Sequence, residues 1–340
     1  MRKIFFFLFL VLIFGGFITS VFLLPGKDFR FKHKGELISF FKPRPTEREI
    51  NLIAVGDIML SRNVDKKMEE HKDYRYPFFK TAQFLKLADI TFGNLECPII
   101  AGRDIQTGQM IFRADPQAVE GLKYAGFDVL SLANNHFPNF GEKGIKDTFL
   151  YLSEAKISYI GAGNNEEEAH RPKVFEIKGI KIAFLAYNDS DVVPLSYEAI
   201  KDHPGTAFMK KGKMQEDVKK TKVISDYLIV SMHSGTEYAK APNQRQINFA
   251  HEAIDAGADL VIGHHPHVIQ GAEEYKGKYI IYSLGNFVFD QMWSDATREG
   301  LIAKIKIKFK EGENPKIETK FYKVLIEDFS QPRILGEYTL

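Results

Sequence analysis

From Ile50 onward, short apolar runs alternate with stretches whose apolar residues return every three or four positions. "INLIAVGD" (50–57) has the nearly unbroken apolar character of a strand buried on both faces. A helical period follows near 62–71, and "ADITFGNLE" (88–96) reads as a second strand. "DPQAVEGLKYAG" (115–126) carries Asp115 as a cap, Pro116 in the first turn and Gly126 at the end, which is the punctuation of a helix. "FDVLSLANNH" (127–136) is a third strand, "GEKGIKDTFLYLSEAK" (141–156) an amphipathic helix, and "ISYIGAG" (157–163) a fourth strand. A hairpin turning at Gly179 is expected over 173–188. Strands at 226–235 and 258–265 bracket a helix over 243–256, and later strands fall at 278–289, 301–310 and 316–326. Strand and helix alternate in the βαβ manner with added hairpins, so the fold class is α/β (α+β) with a substantial sheet. No internal repeat and no low-complexity tract interrupts it.

Before Ile50 the pattern is different. Arg2 and Lys3 precede an uncharged run from Ile4 to Leu24, 21 residues, long enough for a helix to cross about 30 Å of hydrocarbon. No A-x-A-like cleavage site follows, and no lipobox cysteine is present. The expectation is an N-terminal transmembrane helix over 1–25, an uncleaved anchor with cleavage as the alternative. Arg2 and Lys3 then lie in the cytoplasm and the remaining chain outside, as a single-pass cell-membrane protein. Residues 26–49 mix charge, proline and aromatics without period and read as a membrane-proximal linker, with basic residues placed to meet anionic headgroups. One domain is expected over 50–330, with a C-terminal tail over 331–340.

Composition narrows the classes. The chain has 340 residues, an apolar fraction of 44% and a net charge of +2, with no basic block interleaved with aromatics, so no nucleic-acid partner is expected. A single cysteine, Cys97, allows neither an intrachain disulfide nor a Cys-x-x-Cys metal site. It reads as a small buried filler, and the one tryptophan, Trp293, as packing.

Five polar clusters stand at the carboxyl ends of expected strands, the edge where ligand sites assemble in open α/β sheets. They are Asp57 in "AVGD"; Asn94 and Glu96 in "FGNLE"; Asn134, Asn135 and His136 in "SLANNH"; His233 and Glu237 in "VSMHSGTE"; and His264, His265 and His267 in "IGHHPH". Taken singly, each has a bland reading as a helix cap, a turn or a satisfied histidine. Together they form a carboxylate, amide and imidazole set suited to divalent zinc, manganese or iron. His265 and His267 are two apart, so in extended backbone they share a face, and Pro266 disfavours helix between them.

The motifs "AVGDIML", "GNLECPI", "FRADP", "SLANNH", "GAG…EEAHRP", "HSGTEY", "GHHPHVIQG" and "YSLGNF", in this order across about residues 51–290, resemble the capsule-synthesis CapA (poly-γ-glutamate synthesis) family. That family is similar to the calcineurin-like metallophosphoesterases, which implies two central sheets flanked by helices and a site for one or two metal ions. It also implies a role in making, exporting or anchoring an anionic γ-glutamyl capsule polymer outside the membrane, with a capsule-synthesis membrane complex as partner. Carried over residue by residue, the resemblance makes Asp57 the first metal-binding aspartate and Glu96, rather than Asn94, the bridging carboxylate. It makes Asn135 a ligand, with His136 beside the substrate. His233 becomes the lone histidine ligand and His265 and His267 the terminal pair. Asn94, His264, Glu237 and Asn286 are further candidates. Phosphoesterases usually open on D-x-H; here that histidine position is Met59, so a mononuclear site is an alternative.

A metal-dependent hydrolase follows, acting on a phosphoester or γ-glutamyl bond with metal-activated water. In it, His136 would protonate the leaving group and Arg113 would stabilise developing negative charge. A non-catalytic subunit of a membrane polymer-synthesis complex is the rival expectation.

Overall fold

A computed structural model gives the structure of the chain. It describes residues 47–340 in full. Before them it describes only two short antiparallel backbone pairs, Val11–Phe14 with Phe17–Ser20 and Arg30–His33 with Glu36–Ser39. The expected anchor over 1–25 and linker over 26–49 therefore lie mainly outside the described residues. Within the anchor, the described positions pair as strands rather than forming helix. Among the described residues, no helix is long and apolar enough to cross a membrane. Residues 1–48 with 310–313 form one compact unit, and residues 49–309 with 314–340 a second, which carries everything that follows.

The larger unit has two main sheets. Its strands are β1 (Glu47–Ile58), β2 (Ile90–Leu95), β3 (Val129–Ser131), β4 (Ser158–Ile160), β5 (Lys173–Ile177), β6 (Ile180–Asn188) and β7 (Tyr227–His233). They continue with β8 (Leu260–His264), β9 (Ala272–Tyr275), β10 (Lys278–Ile281), β11 (Asn286–Val288), β12 (Glu299–Lys310), β13 (Lys316–Glu327) and β14 (Gln331–Tyr338). The longer helices are α1 (Arg62–His71), α2 (Val119–Ala125), α3 (Gly141–Glu154), α4 (Lys211–Val223) and α5 (Gln244–Ala256). The first sheet runs β14-β13-β12-β1-β2-β3-β4 with β11 paired to β1, and the second runs β5-β6-β7-β8-β10-β9. β1 to β4 are parallel, as are β6, β7, β8 and β10, so their carboxyl ends gather on one edge. Gln331–Tyr338, expected as a tail, is an edge strand paired to β13.

Alternation along the central strands builds three apolar layers. Leu52, Ala54 and Phe92 of the first sheet face Phe184, Ile229 and Ile262 of the second, with Phe92 and Phe184 ring centroids 5.7 Å apart. Ile53 and Val55 point the other way, against Met68, Leu122 and Leu152 of α1, α2 and α3. Leu185, Val230 and Val261 cover the outer face of the second sheet against Met214 and Val218 of α4 and Phe249 and Ala253 of α5. The result is a mixed α/β fold whose sheets are flanked by helices. The expected long strands at 127–136 and 278–289 are shorter, because each changes direction into the site: β3 stops at Ser131 and the second breaks between β10 and β11.

Candidate metal centre

β1, β2, β7 and β8 each release a site residue at or just past their last turn of backbone. Asp57 lies next to last in β1, Glu96 follows β2, His233 ends β7 and His264 ends β8. Asp57 and Asn94 are direct partners across β1 and β2, as are His233 and His264 across β7 and β8. A Cβ on Gly56 would lie 1.8 Å from Gly285 O. The absence of a side chain there lets Asp57 N donate to Gly285 O at 3.0 Å, bringing β11 and Asn286 alongside Asp57.

The imidazole pair converges by a route other than the extended one expected. His265 and His267 have φ of 98° and 58°, so the chain after β8 turns through left-handed backbone on either side of Pro266. Non-glycine residues adopt that region at a cost of about 1–3 kcal/mol, and such strain clusters at functional sites. Tyr238 N, from the loop after β7, donates to Pro266 O at 2.8 Å and ties the two loops together.

Asp57, Glu96, His233, His264, His265 and His267 are all buried. Their side-chain donor atoms form three overlapping groups, each within 4.8 Å: Glu96 with His233 and His265, Asp57 with Glu96 and His267, and Glu237 with His265 and His267. Glu96 Oε1 lies 3.7 Å from His233 Nε2 and 3.9 Å from His267 Nε2. Neither Glu96 oxygen has a hydrogen-bond partner, and His265 Nδ1 has none. Asn94 is used differently. Its Nδ2 donates to Asp57 Oδ1 at 2.9 Å and its Oδ1 accepts from Asn134 Nδ2 at 3.1 Å, so it positions Asp57 and leaves no free lone pair facing the cluster. Asn135 Oδ1 sits 3.0 Å from His233 Nε2. Asn286 Oδ1 is 3.0 Å from His267 Nδ1, while its Nδ2 donates to Gln291 Oε1 and Thr297 O. Those two donations fix the amide's orientation, make Nδ1 of His267 the donor, and direct its Nε2 at Glu96. His264 Nδ1 is 3.3 Å from Asp57 Oδ1 without hydrogen-bonding geometry.

Burial and mutual charge set the protonation. Burial pushes Glu96 well above the usual carboxylate range, against the attraction of His267. For Asp57, burial is outweighed by His264 and His267, and the group is held well below that range. Burial works against charge on His267, yet Glu96 and Asp57 raise it to about 9. Burial, with His267 beside it, takes His265 down to about 3. Burial also takes His136 down to about 3.

A buried carboxylate with both oxygens unpaired is costly unless it is neutralised or meets a cation. The donor set of carboxylate, imidazole and amide oxygens fits a divalent ion. These residues therefore fit the expected ion.

His136 lies off the cluster, in a cleft of about 230 Å³ that also reaches His267 and Glu237. Its ring stacks on Phe112 at 3.8 Å. Arg113 is not brought to this cleft. Its guanidinium is buried beside Asp65 at 3.5 Å and Asp115 at 3.7 Å and donates to Ile100 O at 2.8 Å. The cleft receives Arg62 instead, a residue the sequence reading passed over as the start of a helix. Its position five residues after Asp57 was the available signal. Trp293 is not core packing: it is 62% exposed on the cleft rim, edge-on to Tyr238 at 4.8 Å. Cys97 is a buried filler whose Sγ accepts from Leu60 N at 3.4 Å, and burial pushes its thiol up to about 12.

The fold and this cluster define a class: an α/β protein with a buried acid–imidazole site at the carboxyl edge of its parallel strands. A family model described as bacterial capsule synthesis protein PGA_cap matches residues 51–291, and the chain belongs to that family. It is 36% identical over 276 residues to the capsule biosynthesis protein CapA of Bacillus anthracis, covering 78% of this chain and 66% of that one. It is 34% identical over 257 residues to the PGA biosynthesis protein CapA of Bacillus subtilis, covering 75% and 67%. The chain thus spans about two thirds of the length of these curated relatives. A solved structure of a hypothetical protein from Thermus thermophilus shares the fold, with a TM-score of 0.51 at 15% identity over 81% of this chain and 99% of that one.

Proposed function

We propose that the chain is a metal-dependent hydrolase of capsule or poly-γ-glutamate biosynthesis, acting outside the cell membrane on a phosphoester or γ-glutamyl bond of an anionic polymer. The observation that carries this reading is Glu96, a buried carboxylate with no hydrogen-bond partner, ringed by Asp57, His233, His265 and His267. We read the paired sheets as a calcineurin-like metallophosphoesterase sandwich over residues 50–330. One or two ions of manganese, zinc or iron would be held by Asp57, Glu96, Asn135, His233, His265 and His267. Glu96 belongs both to the group with His233 and His265 and to the group with Asp57 and His267, which suits a carboxylate shared by two ions. A divalent ion supplies Lewis acidity and a water whose pKa falls towards about 7.

The chain's own residues do the rest. Asn286 orients His267, and Asn94 orients Asp57. Phe112 and Phe289 wall the cleft beside His267 and His136 and exclude water from that side. Asn139 Oδ1 already accepts from Phe112 N at 2.7 Å, so at 3.1 Å it takes the Nδ1 proton of His136 and leaves Nε2 bare. Neutral at pH 7, His136 is set up to accept a proton or hydrogen bond in the cleft rather than to donate one. The apolar run from Ile4 to Leu24 would hold the domain at the membrane as a single-pass anchor, next to a capsule-synthesis complex. Membrane fractionation and N-terminal sequencing of the mature protein test that placement.

The deciding assay loads the full-length chain with Mn²⁺, Zn²⁺ or Fe²⁺ and offers bis(p-nitrophenyl) phosphate and a γ-glutamyl anilide. Turnover is expected with at least one metal. Asp57→Ala and His265→Ala should lose it by about 100-fold or more, consistent with groups that act as one unit. Turnover that survives complete metal removal sinks the proposal. The second reading, a non-catalytic subunit, is favoured by Met59: it stands where a further imidazole would be, buried, with its Sδ accepting from Ser61 N.

A further inference from the structure

The cleft beside the acid–imidazole cluster has one guanidinium among its described lining residues, Arg62. Three features of this residue oppose an ordinary structural role. It has φ of 54°, a region that costs a non-glycine residue about 1–3 kcal/mol. It is the first residue of α1, where the helix dipole disfavours a cation. It is 8% exposed, and its Nε is buried with no hydrogen-bond partner. What holds it there faces it into the cleft. Its Nη2 is paired with Asp290, which also accepts from Asn63 N at 3.2 Å and Asn63 Nδ2 at 3.0 Å, so the carboxylate is pinned from behind. Its guanidinium lies 4.6 Å over the ring of Phe112, whose stacking partner is His136. Its remaining contact, Nη1 to Gln109 O at 3.4 Å, is long and comes from an exposed loop.

We propose that Arg62 is the residue that receives an anionic oxygen of the substrate, a phosphoryl or carboxylate group, beside the acid–imidazole cluster. Strain, stacking and the Asp290 pair fix a planar fork in advance, which is the arrangement that recognises such oxygens with two parallel N–H bonds. The weak bond to Gln109 O is the one that the ligand replaces. The assignment rests on the hydrolase reading only for the class of ligand.

The test titrates inorganic phosphate and, separately, glutarate into the full-length protein saturated with Mn²⁺, by calorimetry. Arg62→Gln should weaken binding of the recognised anion by about tenfold or more and leave Mn²⁺ affinity unchanged. Arg62→Lys, a point charge without the fork, should fall between, and it covers the case in which Arg62→Gln fails to fold. Whichever of phosphate and glutarate is lost identifies the group. Undiminished anion affinity in a folded variant, or a lower melting temperature as the only change, overturns the assignment. If wild type binds no Mn²⁺, it is the hydrolase reading that fails. Arg62 is then judged by the same phosphate titration on metal-free protein, where an equal affinity in wild type and Arg62→Gln overturns it.

Discussion

Asn286 Oδ1 accepts the Nδ1 proton of His267 at 3.0 Å, and its own amide protons go to Gln291 Oε1 and Thr297 O. An asparagine held at both ends in this way selects one tautomer of the imidazole it touches. Such outer partners are worth about 10–100-fold in metal affinity. Asn286→Ala should therefore weaken Mn²⁺ binding by that factor, measured by calorimetry. Asn286→Asp, which keeps an acceptor, should retain more of it. Unchanged Mn²⁺ affinity in Asn286→Ala would show that His267 is oriented by something else. Sequence alone left this residue between lining a pocket and closing a turn, because a hydrogen bond between positions 267 and 286 leaves no trace in either local pattern. Glu96 and Asn94 were a similar case. Chemistry favoured the carboxylate, and the structure adds that the amide's oxygen is already occupied by Asn134.

Among the elements, β1 and β11 place the site, and they depend on close backbone approach. Gly56→Ala would put a methyl group 1.8 Å from Gly285 O and force the two segments apart. Overpacking of this kind costs about 1–3 kcal/mol. With the bond from Asp57 N to Gly285 O lost as well, we expect about 3 kcal/mol in chemical denaturation. A loss under about 0.5 kcal/mol would mean that β11 can shift freely. The elements legible in the sequence were those with a strong apolar signal: β1, β2, β7 and β8, and the amphipathic helices α1, α3 and α5. α4 escaped because "KGKMQEDVKKTKV" buries only Met214, Asp217, Val218 and Thr221, too thin a stripe to announce a helix. β9, "AEEY", and β14, "QPRILGEY", escaped because exposed edge strands carry polar residues. The strand-end clusters were legible because parallel strands put their carboxyl ends on one edge. The left-handed turn at His265 and His267 was not, since it is imposed by tertiary contacts.

At the scale of the whole molecule, the cluster is a local weakness in an otherwise well-packed sandwich. Glu96 has no partner for either oxygen, His265 none for Nδ1, and burial resists charge on all of them. A ligand that binds only the folded state adds RT ln(1 + [L]/Kd), about 2.7 kcal/mol at one hundred times Kd. For a domain of this size each kcal/mol is worth roughly 2–4 °C in Tm. Saturating the full-length protein with Mn²⁺ should therefore raise Tm by roughly 5–10 °C over the chelated protein. Glu96→Gln separates this account from a merely structural one. It removes a buried carboxyl group that wants a proton or a cation, so the chelated variant should melt no lower than chelated wild type. It also removes the ligand shared by two of the three groups, so the Mn²⁺-dependent rise should largely vanish. A variant that melts several degrees lower without metal, yet keeps the full rise with it, would place Glu96 in the scaffold and move the ion elsewhere. The opposite pair of results would mean that stability is given up at this carboxylate in the metal-free chain and returned when the ion binds.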